Sequence, residues 1–375
     1  MKMMHLSDLH LGKKLNNYLL LEDQEYILDK IIGIADEQKP DCVLIAGDVY
    51  DRSLPPEEAV KLFDKFLTQL AERKLPVLII SGNHDSAERI AYGGRIMEKS
   101  GIYLSHVYDG DIKPVILNDE FGEVYFYLLP FVRRAEVRRA FEDKDVVIES
   151  TEDAVRTAVE ALHIDTNKRN VLLAHQFVTG ASTCESEEIY VGTAEKVSAD
   201  VFSQFDYTAL GHLHMPQNVG NDPRIRYCGT PLKYSFSEVN HKKSVSVVTL
   251  GEKGSLPVIE KVPLIPKIDM KELRGSYEEL MQNSSDCYVS IVLTDDTPVT
   301  DANAWLRNKY KNIMQLRYDN KSTNTRTDYD KLQSADKKPS EFLSDFYREF
   351  NGIEMPEEQR VYMEELIKEI WGAEA

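Results

Sequence analysis

The sequence predicts an α/β fold, a layered core built on parallel strands, and two observations predict it. Near the start, three apolar runs (Met1–Ser7, Cys42–Ala46 and Pro76–Ile80) alternate with two stretches of helical periodicity. That β-α-β-α-β order builds a parallel sheet flanked by helices. The second observation concerns the ends of these runs. Each leads into residues that can ligate a metal, and open α/β sheets form their sites at the carboxyl ends of strands.

Met1–Ser7 is the first strand. Asp8 and His10 come after it two residues apart, on one side of an extended segment. Over Leu19–Gln38, Leu20, Tyr26, Ile27, Ile31 and Ile34 recur near helical spacing and mark an amphipathic helix. Cys42–Ala46 is continuously apolar, as strands buried on both faces are, and Gly47-Asp48 comes directly after it. Pro55–Arg73 is a second helix with Pro and Glu at its start. Pro76–Ile80 is a third buried strand and leads into Ser81-Gly82-Asn83-His84-Asp85. Ala87–Lys99 and Thr151–His163 are helices, and Arg133–Phe141 carries Arg133, Arg134, Arg138 and Arg139. Val124–Leu129, Asn170–Ala174, Tyr207–Leu210, Ile225–Cys228 and Ser244–Leu250 are strands. The second of these ends at His175 and the third at Gly211-His212-Leu213-His214.

The character changes at Pro263–Pro266. Beyond it, a strand at Cys287–Leu293, a helix at Asp301–Lys311 and a strand at Ile313–Tyr318 make a small α+β unit. Tyr318–Pro339 is polar and reads as a linker, and Ser340–Phe350 and Glu357–Trp371 as two amphipathic helices. Phe342, Phe346 and Phe350 form one apolar stripe, and Tyr362, Leu366 and Trp371 the other. Behind a polar linker, such stripes suit a groove or a coiled coil on another chain.

Composition narrows the class. A chain of 375 residues, 42% hydrophobic and 29% charged, is globular with two or three domains. Its net charge of -18 is not the usual footprint of a nucleic-acid binder, which sets Lys and Arg against phosphate. Such a partner must be met by a local basic patch or by another subunit. Cys42, Cys184, Cys228 and Cys287 are scattered without C-x-x-C spacing, which points to a reducing compartment and away from a zinc ribbon. No stretch reaches the roughly 18 apolar residues of a membrane span. No leader is expected ahead of a strand that ends at Asp8. The expectation is a cytoplasmic protein with no membrane partner. It has no G-x-x-x-x-G-K-[ST] phosphate loop, so any ATP dependence must come from a partner.

Together the five strand ends supply seven ligands: Asp8, His10, Asp48, Asn83, His175, His212 and His214. Carboxylate, amide and imidazole donors suit Mn, Fe or Zn better than Mg or Ca alone. Seven are too many for one ion, and fit two ions roughly 3.5–4 Å apart that share a carboxylate. Asp48, on the central strand, is the natural bridge. Singly, each motif is more often a turn or a core residue. Their joint occurrence in this order carries the expectation.

The segments "SDLHLG", "AGDVYD", "SGNHD", "AHQF" and "GHLH" resemble the signature of the calcineurin-like metallophosphoesterases. Over Met1–Val262, "HLSDLHLGK", "LIAGDVYDRSLPPEEAV", "LIISGNHDSAERI" and "GTPLKYSFSE" are similar to the SbcD family, the nuclease subunits of bacterial SbcCD complexes. The resemblance implies a four-layer α-β-β-α sandwich with a two-metal site, a small α+β capping domain and C-terminal partner-binding helices. It divides the chain into a nuclease domain at 1–265, a capping domain at 266–320 that positions DNA, a linker at 321–339 and a helical partner-binding region at 340–375. By the family's pattern, Asp8, His10, Asp48 and His214 would hold one ion. Asp48, Asn83, His175 and His212 would hold the other, typically manganese in both places. His84 would be no ligand. It would stabilise charge at phosphorus and protonate the leaving oxygen, oriented by Asp85 or Asp51.

The implied activity is Mn-dependent hydrolysis of DNA phosphodiesters. It comprises a 3′→5′ exonuclease on double strands and an endonuclease on single strands and hairpins, in DNA repair and recombination. The implied partner is a coiled-coil ATPase, SbcC, in an assembly of two nuclease and two ATPase chains. DNA contacts are expected from Lys13, Lys14, Arg133, Arg134, Lys242 and Lys243. The alternatives are a stand-alone phosphatase or small-molecule phosphodiesterase on the same fold, and a scaffold without catalysis. The C-terminal extension stands against the first, and the complete ligand set against the second.

Overall fold

A computed structural model of the chain describes residues 1–16, 18–143, 146–184, 196–319, 347, 355–357 and 359–363. Met1–Val292 with Asp301–Arg317 form one compact unit, and Leu293–Thr300 with Tyr318–Ala375 a second.

The strands run in chain order. The first six are β1 (Lys2–Leu6), β2 (Lys14–Leu15), β3 (Tyr18–Leu19), β4 (Cys42–Ala46), β5 (Val77–Ile80) and β6 (Ile102–Leu104). Next come β7 (Val115–Asp119), β8 (Gly122–Leu128), β9 (Arg169–His175), β10 (Tyr207–Gly211), β11 (Gln217–Val219) and β12 (Asp222–Tyr227). The last are β13 (Ser244–Thr249), β14 (Val258–Pro263), β15 (Met270–Gly275), β16 (Ser285–Leu293) and β17 (Tyr310–Tyr318). Two six-stranded sheets, ordered β14-β13-β1-β4-β5-β6 and β11-β12-β10-β9-β8-β7, form the core of the first unit. β1, β4, β5 and β6 are mutually parallel, as are β8, β9, β10 and β12. β13 and β14 on one sheet, and β7 and β11 on the other, run antiparallel to their neighbours.

Side-chain alternation explains the continuously apolar runs. Val43 and Ile45 of β4 face the helices α1 (Leu21–Gln38) and α2 (Glu57–Glu72), in a cluster with Ile27, Ile31, Phe63 and Phe66. Cys42 and Leu44 point the other way, into a cluster shared with Val171 and Leu173 of β9 and Tyr207 and Ala209 of β10. A strand clamped between a helix layer and a second sheet has no polar face to show. On the far side, Leu172, Ala174 and Leu210 pack with Val137, Val155 and Val159 from helices Arg134–Ala140 and Thr151–Glu160. The layers are therefore helix, sheet, sheet, helix, the four-layer arrangement expected.

Several local expectations are corrected. The helix over Ala87–Lys99 is two short helices, Ala87–Ile90 and Gly94–Met97, then a 3-10 turn at Glu98–Ser100. Gly93 at φ +75° breaks it, a conformation that interrupts helical propagation. The helix over Asp301–Lys311 stops at Leu306, because the chain turns and enters β17 at Tyr310. The edge strands β6, β7, β11, β14 and β15 went unrecognised. Met270–Gly275, Ser285–Leu293 and Tyr310–Tyr318 form a separate three-stranded sheet, ordered β15-β16-β17. Phe342, Phe346, Phe350, Leu366 and Trp371 lie outside the described residues, whereas Tyr362 is helical and 62% exposed. Among the described residues no helix is long and apolar enough to cross a membrane.

Candidate metal centre

The seven expected ligands stand at or just beyond the carboxyl ends of β1, β4, β5, β9 and β10. Parallel pairing brings those ends together: Leu6 pairs with Ile45, Ala46 with Ile80, and Gly211 with His175. The backbone at this edge is strained. Asp8, His10, Asp48 and His212 adopt φ of 52°, 44°, 50° and 105°. Non-glycine residues hold such angles only where their surroundings enforce them, commonly at functional sites. Close approach adds a second demand. A Cβ on Gly211 would sit 1.9 Å from the Ala46 carbonyl oxygen, so only glycine lets β10 lie this near β4.

Two donor sets overlap at Asp48. On one side, His175 Nε2 and His212 Nδ1 each lie 3.0 Å from Asn83 Oδ1, and His175 Nε2 is 3.3 Å from Asp48 Oδ2. On the other, the ligand atoms of Asp8, His10 and His214 lie within 4.8 Å of one another. His10 Nε2 is 3.8 Å from Asp48 Oδ2 and 4.0 Å from Asp8 Oδ1. Neither ring nitrogen of His10, a fully buried side chain, has a hydrogen-bond partner among the described residues. Buried polar atoms without partners are costly, and a cation between Asp8 and Asp48 would satisfy Nε2, the nitrogen that faces them.

Charge reinforces that fit. Burial opposes ionisation of Asp48, but the adjacent His175, with His10 and His84, holds its carboxyl far below the usual range. Burial likewise disfavours a charged His175, yet Asp48 and Asp8 outweigh it and push the imidazole up to about 9. Two carboxylates this close to a buried imidazole mark a place that favours positive charge. For Asp8 the balance differs, because burial itself drives its carboxyl up. Burial pushes His212 down to about 3. The donor set, carboxylate, amide and imidazole in one buried cluster, fits divalent ions.

Outside this cluster a cleft of 720 Å³ opens, lined by Asn83, His84 and His212 and, farther out, by Phe131, Phe177, Arg133, Arg134 and Arg138. His84 donates its backbone N–H to Asp48 Oδ1 at 2.8 Å, and its Nδ1 lies 2.9 Å from the Asp51 carbonyl oxygen.

A family model described as calcineurin-like phosphoesterase matches residues 1–216. The chain belongs to the calcineurin-like phosphoesterase family. A second model, described as type 5 capsule protein repressor C-terminal domain, matches residues 266–350 of this phosphoesterase. Two curated relatives are named as the D component of the nuclease SbcCD. The one from Staphylococcus epidermidis is 38% identical over 84% of this chain and 85% of its own. The one from Staphylococcus saprophyticus is 33% identical over 98% of each chain. Among solved structures, a dimetal phosphatase from Danio rerio superposes with a TM-score of 0.43 at 10% identity, covering 71% of this chain and 96% of that one.

Within this phosphoesterase the remaining expected residues divide. The Asp85 carboxylate is engaged by backbone groups. Its two oxygens accept backbone N–H groups of Val49, Tyr50 and Gly82 at 2.9–3.0 Å, pinning the loops after β4 and β5 together. Burial, then the charge of Asp48, raises its carboxyl to about 6. Asp51 meets His84 through its backbone, while its side chain takes Lys13 at 2.8 Å. Lys14, Lys242, Arg133 and Arg134 are exposed. Lys243 is not: it is 6% exposed and ion-paired to Glu238, so it is no surface contact for DNA.

Three residues with structural leverage on the site escaped notice. Gln24 donates to the carbonyl oxygens of His10 at 2.7 Å and Leu9 at 3.3 Å, and accepts from Gly12 N–H at 3.0 Å. Tyr234 stands edge-on to His10, with ring centroids 5.6 Å apart. Glu238 accepts from His214 Nδ1 at 2.9 Å. A signal for Gln24 existed, since it falls on the apolar stripe of α1 beside Leu20, Ile27 and Leu28.

Proposed function

We propose that this chain is the nuclease subunit of an SbcCD-type complex and hydrolyses DNA phosphodiester bonds at a two-metal centre, with Mn2+ as the working ion. The observation that carries the reading is the convergence of seven candidate donors, from five strand ends, on one largely buried cluster beside an arginine-lined cleft. In this reading Asp8, His10, Asp48 and His214 hold one ion, and Asp48, Asn83, His175 and His212 the other. Bound divalent ions polarise a phosphodiester and make a water nucleophilic near neutral pH.

The chain's own groups do the rest. With Nδ1 directed at the Asp51 carbonyl, His84 presents Nε2 as the nitrogen that delivers a proton to the leaving oxygen. Arg133 and Arg134 receive the phosphates on either side of the scissile one. Arg133 lies over the Phe131 ring at 5.4 Å, and Arg134 is tethered to the Glu149 carbonyl oxygen at 3.1 Å, so both are preset toward the cleft. Lys13, Lys14 and Lys242 extend the contact.

We read residues 1–265 as the nuclease domain, 266–320 as a capping domain that positions DNA, 321–339 as a linker and 340–375 as the region that binds a coiled-coil ATPase, SbcC. The assembly is a heterotetramer of two chains of each kind, cytoplasmic, acting on blocked ends and hairpins in repair and recombination. The test is a nuclease assay with Mn2+ on hairpin DNA, with and without the co-purified ATPase, alongside a small aryl phosphate monoester. Mn-stimulated hairpin cleavage that gains ATP dependence only with the partner is expected. Hydrolysis of the monoester alone would instead make this a stand-alone phosphatase.

A further inference from the structure

The segment after β12 wraps one side of the metal centre, and its buried charges face a single ligand. Glu238 is fully buried and both of its oxygens are engaged. Oε1 accepts from His214 Nδ1 at 2.9 Å. Oε2 accepts from Lys243 Nζ at 2.5 Å and from the Thr230 hydroxyl at 3.3 Å. Lys243 uses its other N–H groups on Thr230 Oγ1 at 2.6 Å and on the His214 carbonyl oxygen at 2.9 Å. The Thr230 N–H donates to that same carbonyl at 3.2 Å. One buried ion pair thus grips His214 at both its ring and its backbone.

His175, on the other donor set, is held differently: its Nδ1 donates to the neutral carbonyl of Ala46 at 2.8 Å. The contrast matters because a carboxylate behind an imidazole fixes the tautomer and makes the far nitrogen more basic. A buried ion pair is a weak device for stability alone, since apolar residues of the same volume do as well or better. What apolar residues could not do is place a negative charge behind His214.

We propose that Glu238, with Lys243 as its buried counter-charge, is a positioning residue that strengthens metal binding at the Asp8/His10/His214 position over the Asn83/His175/His212 position. The inference rests on the two-metal reading above. It predicts unequal sites whose inequality is written outside the ligands themselves.

The test titrates Mn2+ alone into the metal-free full chain by calorimetry, and measures thermal unfolding in chelator. Glu238→Gln keeps the shape but strands the Lys243 charge, so the double variant Glu238→Gln/Lys243→Met removes both charges. Wild type should bind two Mn2+. In each variant one equivalent should weaken about 10–100-fold while the other stays within roughly twofold. The double variant should recover the wild-type metal-free unfolding midpoint without recovering that affinity. If both equivalents keep wild-type affinity while the midpoint falls, the pair is merely structural and the proposal fails. Equal weakening of both sites also overturns it. If the wild type binds fewer than two Mn2+, it is the two-metal reading that fails.

Discussion

At the scale of single residues, the centre separates those that bind from those that position. His84 comes within 4.8 Å of ligand atoms of both His10 and Asp48, so distance alone would admit it as a ligand. Its Nδ1 contact with the Asp51 carbonyl and its place on the cleft wall argue for proton transfer instead. His84→Ala should therefore lower cleavage by on the order of 10²–10⁴ while leaving the protein's bound Mn2+ unchanged by elemental analysis. Loss of metal in that variant would make His84 a ligand. The five strand ends that carry the seven candidate donors were legible in the sequence because each closes an apolar run, and a parallel sheet gathers such ends. The residues behind them were not. Lys243 reads as a surface contact for DNA in "SFSEVNHKK", and nothing local announces that it and Glu238 are buried against each other. Asp85 or Asp51 was expected to orient His84, whereas the Asp85 carboxylate accepts backbone N–H groups, two of them from the loop after β4.

At the scale of elements, two contacts tie the scaffold to the site or to itself. The first turn of α1 holds the loop after β1 through Gln24, whose amide satisfies three buried backbone groups. Gln24→Leu should strand them, at about 1–3 kcal/mol each in principle and less after relaxation, and lower the unfolding midpoint in metal-free protein. An unchanged midpoint would show that the loop is held by other means. Across the second sheet, Asp119 at the end of β7 receives Arg169 of β9 in two hydrogen bonds of 2.5 and 3.0 Å. Arg169, aided by the Met1 ammonium, holds the Asp119 carboxyl far below its ordinary value. A carboxyl depressed in the folded state stabilises it above the unfolded pKa of about 3.9, and that contribution fades as pH falls through the folded value. Asp119→Asn should therefore lose stability against wild type at pH 7. In urea titrations the gap should narrow steadily below about pH 4. A gap independent of pH would assign the loss to packing. Elements of this kind are hard to foresee. β7 alternates between half-buried and exposed positions and has no buried one, so it carries no apolar run, and the break at Gly93 sits within a stretch whose spacing is otherwise helical.

At the scale of the molecule, the fold class was readable from the order of runs, and the four layers from the family's signature. Asp8 and His10 arrive on one sheet, and His175, His212 and His214 on the other, so neither sheet alone can complete either donor set. Metal binding is thereby coupled to closure of the sandwich. Saturating Mn2+ at about 100 times its dissociation constant should add roughly 2.7 kcal/mol per site to stability, and chelator should remove it. The most direct test of the central claim is anomalous scattering from Mn-soaked crystals. Two peaks should appear, one among Asp8, His10 and His214, the other among Asn83, His175 and His212, with Asp48 between them and His84 bound to neither. A single peak, or a peak ligated by His84, would contradict it.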